Sequence, residues 1–318
     1  MKLVHLESSS IGSDINREGL RQFGELVTYP DFDQGKTAEQ IRDADIVLIN
    51  KTVMDRHTLK NAENLKLICE LATGYDNIDV ACCAERGIAV ANAGHYSTTA
   101  VVQHTFMLAF SLLGNMVYYD RFVKSGDYAA SSSFTHFDAP VREIAGRTWG
   151  IVGMGDIGSH VARAAEVFGA HVIFFSPTGK STCTEYERVE FDELLSRSDV
   201  ISLHCPLTDL TRKLFGADAF SKMKKSAYLI NVARGGVVDQ RALADALLSG
   251  EIAGAGLDVL EAEPMRVDNP LSEIKDSGRL IITPHMAWAS VEARQRDVDI
   301  ACDNIRAFLA GERKNRVD

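Results

Sequence analysis

The sequence of 318 residues lacks the features that mark several classes of protein. It has no long basic block, and its formal net charge is −10, which argues against a partner made of nucleic acid. It has no run of about 18 apolar residues, so no segment is predicted to span a membrane. The apolar run from Met1 to Leu6 is too short for a secretion signal, and no cleavage site follows it. We therefore expect a cytoplasmic protein.

The six cysteines lack the spacing of a metal site or of a disulfide framework. Cys82 and Cys83 are adjacent, and the others lie in apolar or mixed segments, so we predict reduced thiols and no bound metal. No repeat of solenoid period occurs either. The length of the chain exceeds that of a usual single core, which favours two domains.

Short apolar runs alternate with helical patterns along most of the chain. Asp14 to Leu26 is predicted to be a helix, Asp45 to Ile49 a buried strand, and Leu65 to Leu71 another strand. Asp55 is placed to cap the short helix that carries Leu59. Strands that alternate with helices predict an α/β protein whose parallel sheets are covered on both faces.

A glycine-rich turn is the strongest local signal. The apolar run from Thr148 to Val152 leads into Gly153-x-Gly155-x-x-Gly158, and a helical pattern follows. Gly153 permits the turn, Gly155 allows the backbone to approach a pyrophosphate, and Gly158 allows close packing of helix and strand. A plain glycine turn is the alternative, but the flanking strand and helix favour dinucleotide binding.

Polar residues follow the ends of several predicted strands, where open parallel sheets bind ligands. Arg234 is suited to a planar carboxylate, and His285 can pass a proton to or from a hydroxyl. Glu263 would stabilise the imidazolium form of such a histidine. Each of the three has a structural alternative: a buried histidine, an ion-paired arginine and a surface turn. The strand-end residues are Thr73, Gly74, Ser176, Pro177, Cys205, Pro206, Arg234, Asp258 and His285.

The segment from Lys124 to Glu143 has no clear periodicity after the long helical pattern of Ser97 to Leu113. It contains the aromatic residues Tyr128, Phe134 and Phe137. It is either a solvent-exposed loop or an arm that packs on a second subunit, since large apolar side chains are costly to expose.

Together these motifs resemble the D-isomer-specific 2-hydroxyacid dehydrogenases in order and spacing, over nearly the whole chain. Within that family, the segments Leu71–Asp79 and Pro284–Ala289 look most like glycerate dehydrogenase/hydroxypyruvate reductase. The motifs are Gly153-x-Gly155-x-x-Gly158, Asn231-Val232-Ala233-Arg234-Gly235, Gly256-Leu257-Asp258-Val259-x-x-x-Glu263-Pro264 and Thr283-Pro284-His285.

The resemblance implies two doubly wound parallel-sheet domains. A flavodoxin-like catalytic domain would comprise residues 1–98 and 288–318, and an inserted Rossmann domain of residues 99–287 would bind NAD(P). The helices Ser97–Leu113 and Val291–Leu309 would form the hinge, and closure of the domains would exclude water from the substrate. Members of the family are usually homodimers, which favours the arm interpretation.

The resemblance also implies roles for individual residues. Arg234 would bind the substrate carboxylate and carbonyl, His285 would be the general acid in reduction, and Glu263 would tune it. Thr73 and Gly74 would hold the substrate carboxylate through backbone N–H groups, and Tyr75 would shape the side-chain pocket. The residues expected to contact the cofactor are Thr98, Gly153, Gly155, Asp156, Ile157, Gly158, Ser176, Pro177, Cys205, Pro206, Thr211, Ala233 and Asp258.

One position departs from the usual NAD-type pattern. Ser176 stands where an acid normally binds the ribose 2′-OH, so nothing there repels a 2′-phosphate, and Thr178 and Lys180 could hold one. No arginine follows directly, which leaves NAD(H) slightly favoured over NADP(H). The expected substrate is a small 2-keto or D-2-hydroxy acid, with hydroxypyruvate or glyoxylate reduction as the main reaction. The alternative is a non-catalytic, NADH-responsive binding protein of the corepressor type.

Overall fold

Every pairing between the strands of this chain is parallel, and the twelve strands form two separate sheets. The computed structural model describes all 318 residues. The chain divides into one unit of residues 1–97 and 288–318 and a second unit of residues 98–287. Helices accompany each sheet, so the predicted α/β class with two doubly wound parallel-sheet domains is confirmed.

The first unit contains a five-stranded sheet of order β2-β1-β3-β4-β5, the flavodoxin-like order. All four residues of β3 and of β4 are buried, as expected for central parallel strands covered on both faces. The strands are β1 (Lys2–His5), β2 (Glu25–Thr28), β3 (Ile46–Ile49), β4 (Leu67–Glu70) and β5 (Ala89–Asn92). The helices are α1 (Glu18–Arg21), α2 (Thr37–Gln40), α3 (Arg56–Leu59), α4 (Val80–Glu85) and, near the C-terminus, α12 (Val291–Leu309). The predicted cap is confirmed, because the Asp55 carboxylate accepts a hydrogen bond from the N–H of Thr58 at the start of α3.

The predicted helix from Asp14 to Leu26 is wrong. Only α1 is helical in this range, and β2 follows it as the edge strand beside β1. The chain turns at Gly24, which has a φ of 147° and lies so close to the N-terminus that a Cβ there would meet the Met1 carbonyl oxygen at 2.0 Å. The strand β2 lies at the edge of the sheet, and none of its residues is fully buried. It therefore lacks the continuous apolar run by which a central parallel strand is recognised in a sequence.

The second unit contains a seven-stranded sheet of order β12-β11-β10-β9-β6-β7-β8. This is the Rossmann order with a further strand at one edge, and the order reverses beside β6, where such sheets bind dinucleotides. The strands are β6 (Thr148–Val152), β7 (His171–Phe175), β8 (Glu187–Arg188), β9 (Val200–Leu203), β10 (Tyr228–Asn231), β11 (Gly254–Leu257) and β12 (Leu280–Ile282). The helices are α5 (Thr98–Leu113), α6 (Met116–Lys124), α7 (Asp127–Ala130), α8 (Asp156–Val167), α9 (Phe191–Arg197), α10 (Ala217–Lys222) and α11 (Gln240–Ser249).

Two apolar cores cover the faces of this sheet. One contains Leu195, Phe215 and Phe220, and the other contains Trp149 and Phe174. The buried indole N–H of Trp149 donates to the Ser202 hydroxyl at 2.9 Å, so its one polar atom is satisfied inside the core. The sheet is therefore packed on both faces, and its loops lie at the carboxyl edge.

The segment from Lys124 to Glu143 is partly helical, although its sequence shows no clear periodicity. The helix α6 ends at its first residue and α7 lies within it, and the ring of His136 stacks on that of Phe122 at a centroid distance of 3.8 Å. Phe134 and Phe137 are 88% and 84% exposed. No single helix has the length and apolar content needed to cross a membrane, although α5 and α6, bent by 61°, meet that criterion as a pair.

Candidate active site

The first and third glycines of the turn are required by the packing of the second unit. Gly153 has a φ of 93°, and a Cβ there would approach the backbone of His204 and Cys205 at 2.9 Å. A Cβ at Gly158 would meet the Gly153 carbonyl oxygen at 2.1 Å, so α8 can pack against β6 only with glycine at this position.

The middle glycine has a different environment. A Cβ at Gly155 would meet no protein atom within 4 Å, although the residue lies at the N-terminus of α8. No side chain caps this helix, so its first N–H groups and the positive end of its dipole are directed towards the space above Gly155. This space fits the pyrophosphate of a dinucleotide. Beside it, the Thr98 hydroxyl donates to the Asp156 carboxylate.

The turn after β10 presents Arg234 at the carboxyl edge of the same sheet. The buried Asn231 side chain accepts from the N–H of Ala233 and donates to the carbonyl of Arg234, each at 3.0 Å, and so fixes the turn. Gly235 follows because a Cβ there would lie 1.9 Å from the backbone of Leu260. The guanidinium of Arg234 is exposed and its Nη1 donates only to the carbonyl of Ala233, which leaves most of its donors for a ligand.

The predicted pairing of His285 with Glu263 is present. Nδ1 of His285 lies 2.6 Å from Oε2 of Glu263, and Oε1 of the same carboxylate accepts from the N–H of Leu260 at 2.8 Å. An ionised carboxylate only accepts, so Nδ1 of His285 donates this hydrogen bond and Nε2 is the ring atom left for a reacting group. The imidazole is 31% exposed, which gives a substrate access to it.

Asp258 is buried and holds the loop that carries His285. Its Oδ1 accepts from the Thr283 hydroxyl at 2.5 Å and the N–H of Met286 at 2.7 Å, and its Oδ2 accepts from the N–H of Ala287 at 2.8 Å. Its backbone carbonyl accepts from the N–H of His285 at 2.9 Å. With 1% of its surface exposed, Asp258 anchors this loop; its predicted contact with the cofactor stays a prediction.

The catalytic residues predicted in the second unit share one edge of its sheet. Asn231 pairs with Leu257, and Leu257 pairs with Ile282, so β10, β11 and β12 are consecutive and in register. Arg234 lies three residues after Asn231, and His285 lies three residues after Ile282. Asp258 directly follows Leu257, on the strand between them. Neighbouring parallel strands lie about 4.8 Å apart, so the sheet brings these residues to one place.

The predicted adenosine side of the site lies beyond β7 and β9. Ser176 directly follows β7, is buried, and its hydroxyl accepts from the N–H of Ser181 at 3.4 Å. A polar groove of about 460 Å³ extends from Gly155 to this loop and is lined by the cations Arg163 and Lys180. The other predicted residues here differ in exposure: Pro177 is half-buried and Pro206 exposed, whereas Cys205 and Thr211 are buried.

The predicted substrate loop belongs to the first unit. The N–H groups of Thr73, Gly74 and Tyr75 donate to no acceptor within the chain, which suits a site for a carboxylate. Below this loop, burial raises the pKa of the Glu70 carboxyl to about 9, while its Oε2 accepts from the Asn77 amide at 3.0 Å. In the same unit, the rings of Tyr96 and Trp288 meet edge to face at 6.2 Å.

Sequence reasoning missed two residues of the second unit that organise this site. Asn231 was quoted within a motif but given no role, although a buried amide directly before an arginine turn is a recognisable signal. His104 was given no role either, although it lies on the buried face of the apolar helix α5. A histidine in such a position requires a partner.

A glycine turn for a dinucleotide, an imidazole paired with a carboxylate and an exposed arginine define an oxidoreductase that couples hydride transfer to proton transfer at an acid substrate. Residues 106–287 match the family model "D-isomer specific 2-hydroxyacid dehydrogenase, NAD binding domain". The chain belongs to this family, and the predicted enzyme class and NAD-binding function are confirmed.

Relatives along the whole chain agree with this assignment. The glycerate dehydrogenase of Methylorubrum extorquens is 40% identical, and the match covers 100% of this chain and 99% of that enzyme. The hydroxypyruvate reductase of Blautia hydrogenotrophica is 37% identical over the full length of both. Among solved structures, an acyclic imino acid reductase (Bsp5) in complex with NADPH and D-Arg superimposes with a TM-score of 0.87, with 29% identity and full coverage of both chains.

The different surroundings of Gly155 and Gly158 generate a prediction. Gly158→Ala should lower the melting temperature, because its Cβ would overlap the Gly153 carbonyl oxygen. Gly155→Ala should keep the melting temperature and weaken NADH binding, measured by quenching of protein fluorescence, by about tenfold or more. Gly155→Ala protein that binds NADH as tightly as wild type would contradict the proposed use of this space.

Proposed function

We propose that this dehydrogenase reduces hydroxypyruvate or glyoxylate to the corresponding 2-hydroxy acid of D type where the product is chiral. The observation that carries the proposal is the pairing of His285 with Glu263 at 2.6 Å, at the sheet edge that also carries Arg234. The relatives named glycerate dehydrogenase and hydroxypyruvate reductase, which the chain matches along its whole length, support these substrates.

In this proposal the three side chains divide the work. Arg234 binds the carboxylate and the keto oxygen through its planar fork of N–H donors. Protonated His285 donates from Nε2 to the keto oxygen during reduction and accepts that proton in the reverse direction. Glu263 stabilises the imidazolium through Nδ1 and keeps the ring oriented by its second bond, to the N–H of Leu260.

The remaining substrate contacts are assigned to the first unit, which we propose is the catalytic domain. Thr73 and Gly74 would bind the substrate carboxylate through N–H groups that no acceptor within the chain uses. Tyr75, which is 39% exposed, would shape the pocket for the substrate side chain. The second unit would serve as the nucleotide-binding domain.

A bound nicotinamide dinucleotide supplies or accepts the hydride. We propose that Gly153, Gly155, Asp156, Ile157 and Gly158 hold its pyrophosphate at the N-terminus of α8. We assign contacts with the adenosine side of the cofactor to Ser176, Pro177, Cys205, Pro206 and Thr211. We assign contacts with the nicotinamide side to Thr98, Ala233 and Asp258.

We propose that the enzyme accepts both NAD(H) and NADP(H). Ser176 provides no carboxylate against a 2′-phosphate, and the neighbouring groove contains the cations Arg163 and Lys180. Of the two cofactors NAD(H) is favoured, because no arginine directly follows Ser176 to bind a 2′-phosphate.

We also infer a homodimer and a cytoplasmic location. The segment from α5 to residue 141 exposes large apolar side chains that a second copy would cover. They include Met107, Phe110, Met116, Val123, Tyr128, Phe134, Phe137 and Val141. All six cysteines are unpaired thiols, which supports a reducing compartment.

The substrate proposal is tested by NADH and NADPH oxidation with hydroxypyruvate, glyoxylate, pyruvate and phenylpyruvate. We expect the highest kcat/KM with hydroxypyruvate or glyoxylate.

His285→Ala should lower kcat by about 10² to 10⁴-fold, because the general acid is lost, and should leave NADH affinity nearly unchanged.

The matched control is His171→Ala, which removes an exposed histidine of the same unit. If the wild-type protein oxidised neither NADH nor NADPH with any of the four keto acids, the proposed reaction would be excluded. Full turnover by His285→Ala would show that another group supplies the proton.

A carboxylate at the end of β7 should shift the choice of cofactor. Ser176→Asp is expected to lower kcat/KM for NADPH relative to NADH by about tenfold or more, because it adds a negative charge where the 2′-phosphate would bind. Ser221→Asp makes the same change on the exposed surface of α10 and serves as control. An unchanged ratio in folded Ser176→Asp protein would mean that the ribose binds elsewhere.

The dimer proposal predicts that sedimentation velocity gives twice the monomer mass. Replacing Phe134 and Phe137 by serine should favour monomers, since each buried phenylalanine contributes about 2 kcal/mol. Val267→Ser, at a fully exposed position of another loop, should leave the dimer intact. A monomeric wild type would support the alternative of a solvent-exposed loop.

A further inference from the structure

His104 is an almost buried histidine on α5, at 9% exposure, and none of the proposed steps uses it. Its Nε2 lies 2.9 Å from the Thr283 hydroxyl and 3.4 Å from Oδ1 of Asp258. It therefore contacts Thr283, which begins the loop carrying His285, and Asp258, which holds that loop in place.

The direction of these hydrogen bonds follows from the chemistry of the groups. The Asp258 carboxylate already accepts two backbone N–H groups, and Thr283 donates its single hydroxyl proton to Oδ1 at 2.5 Å. The Thr283 oxygen is then an acceptor, so Nε2 of His104 carries a proton and donates it. Burial lowers the pKa of His104, and the opposing effect of Asp258 is smaller, so the imidazole is neutral and this single tautomer satisfies the chain of bonds.

The loop at the end of this chain of bonds has an unusual backbone. His285 has a φ of 55°, in the left-handed region that residues other than glycine rarely adopt. Such a conformation persists only where the surroundings enforce it. Here the enforcing contacts are the bonds from the N–H groups of His285, Met286 and Ala287 to Asp258.

We propose that His104 is a positioning residue for the reaction: through Thr283 and Asp258 it fixes the loop that orients the imidazole of His285. This inference rests on the proposed role of His285 as the proton donor. His104 itself touches neither the proposed proton donor nor Glu263; its effect passes through a neutral donor, a hydroxyl and a carboxylate.

The test compares two variants of His104. His104→Met fills similar space but has no hydrogen-bond donor, whereas the side-chain amide of His104→Gln can donate a hydrogen bond at a similar distance from the backbone. Thr283→Val removes the intermediate hydroxyl. Thr105→Val is the matched control, because it removes a buried hydroxyl one residue away whose only bond is to the Val101 carbonyl within α5.

We expect His104→Met to lower kcat by about tenfold, with KM and NADH affinity within about twofold of wild type, because the residue acts on orientation and not on binding. His104→Gln should recover most of kcat. The double variant His104→Met/Thr283→Val should be no slower than Thr283→Val, since both changes interrupt the same chain of bonds. Thr105→Val should keep the wild-type kcat.

A second readout needs no turnover. The Nδ1 proton of His285, held by Glu263, should give a downfield NMR resonance that is absent in His285→Ala. It should persist in His104→Gln and broaden or disappear in His104→Met. Wild-type kcat or an unchanged resonance in His104→Met would overturn the inference, as would additive losses in the double variant.

The two hypotheses fail in different ways. A wild-type protein that oxidises NAD(P)H with none of the keto acids contradicts the proposed function, and the resonance still tests His104. An active wild type with an unaffected His104→Met contradicts only the positioning role.

Discussion

The hydrogen bonds of the buried Asp258 carboxylate hold together the edge of the second unit's sheet to which we assign catalysis. Asp258 follows β11 directly, so its position is fixed by a strand with sheet partners on both sides. From there it binds the Thr283 hydroxyl and the N–H groups of the loop after β12. One acid therefore holds His285 in a backbone conformation that the residue does not favour by itself.

The same edge shows how the exposed groups that we propose for catalysis are kept in place by buried neighbours. The Asn231 amide fixes the turn before Arg234, and Leu260 anchors Glu263 through its backbone N–H. Gly235 lets that turn pass against the backbone of Leu260. The guanidinium and the imidazole remain accessible, while the groups that orient them have little freedom, as preorganised chemistry requires.

Much of this arrangement was predictable from the sequence because it depends on local rules. The Gly153-x-Gly155-x-x-Gly158 turn and the flanking strand and helix followed from residue types and spacing. The pairing of Glu263 with His285 was implied by the family resemblance. Other features depended on distant residues. The helix predicted from Asp14 to Leu26 is limited to α1, and the chain turns into the edge strand β2 at Gly24, which packs against Met1; no local pattern encodes that contact. The helix α7 was not predicted, because its four residues are too few to show a helical period.

The sequence by itself determined the fold class, the glycine-rich turn and the candidate residues Arg234, Asp258 and His285, since alternating strands and helices place strand-end residues at one edge of a parallel sheet. Only the tertiary structure decided which glycines serve packing and which leaves room for a ligand, because the answer depends on atoms far away in the chain. It also decided that His104, some 180 residues before His285 in the sequence, shares a chain of hydrogen bonds with its loop. Hydrogen bonds act over about 3 Å in space and carry no fixed spacing in sequence, so side-chain networks of this kind become visible only when the chain is folded.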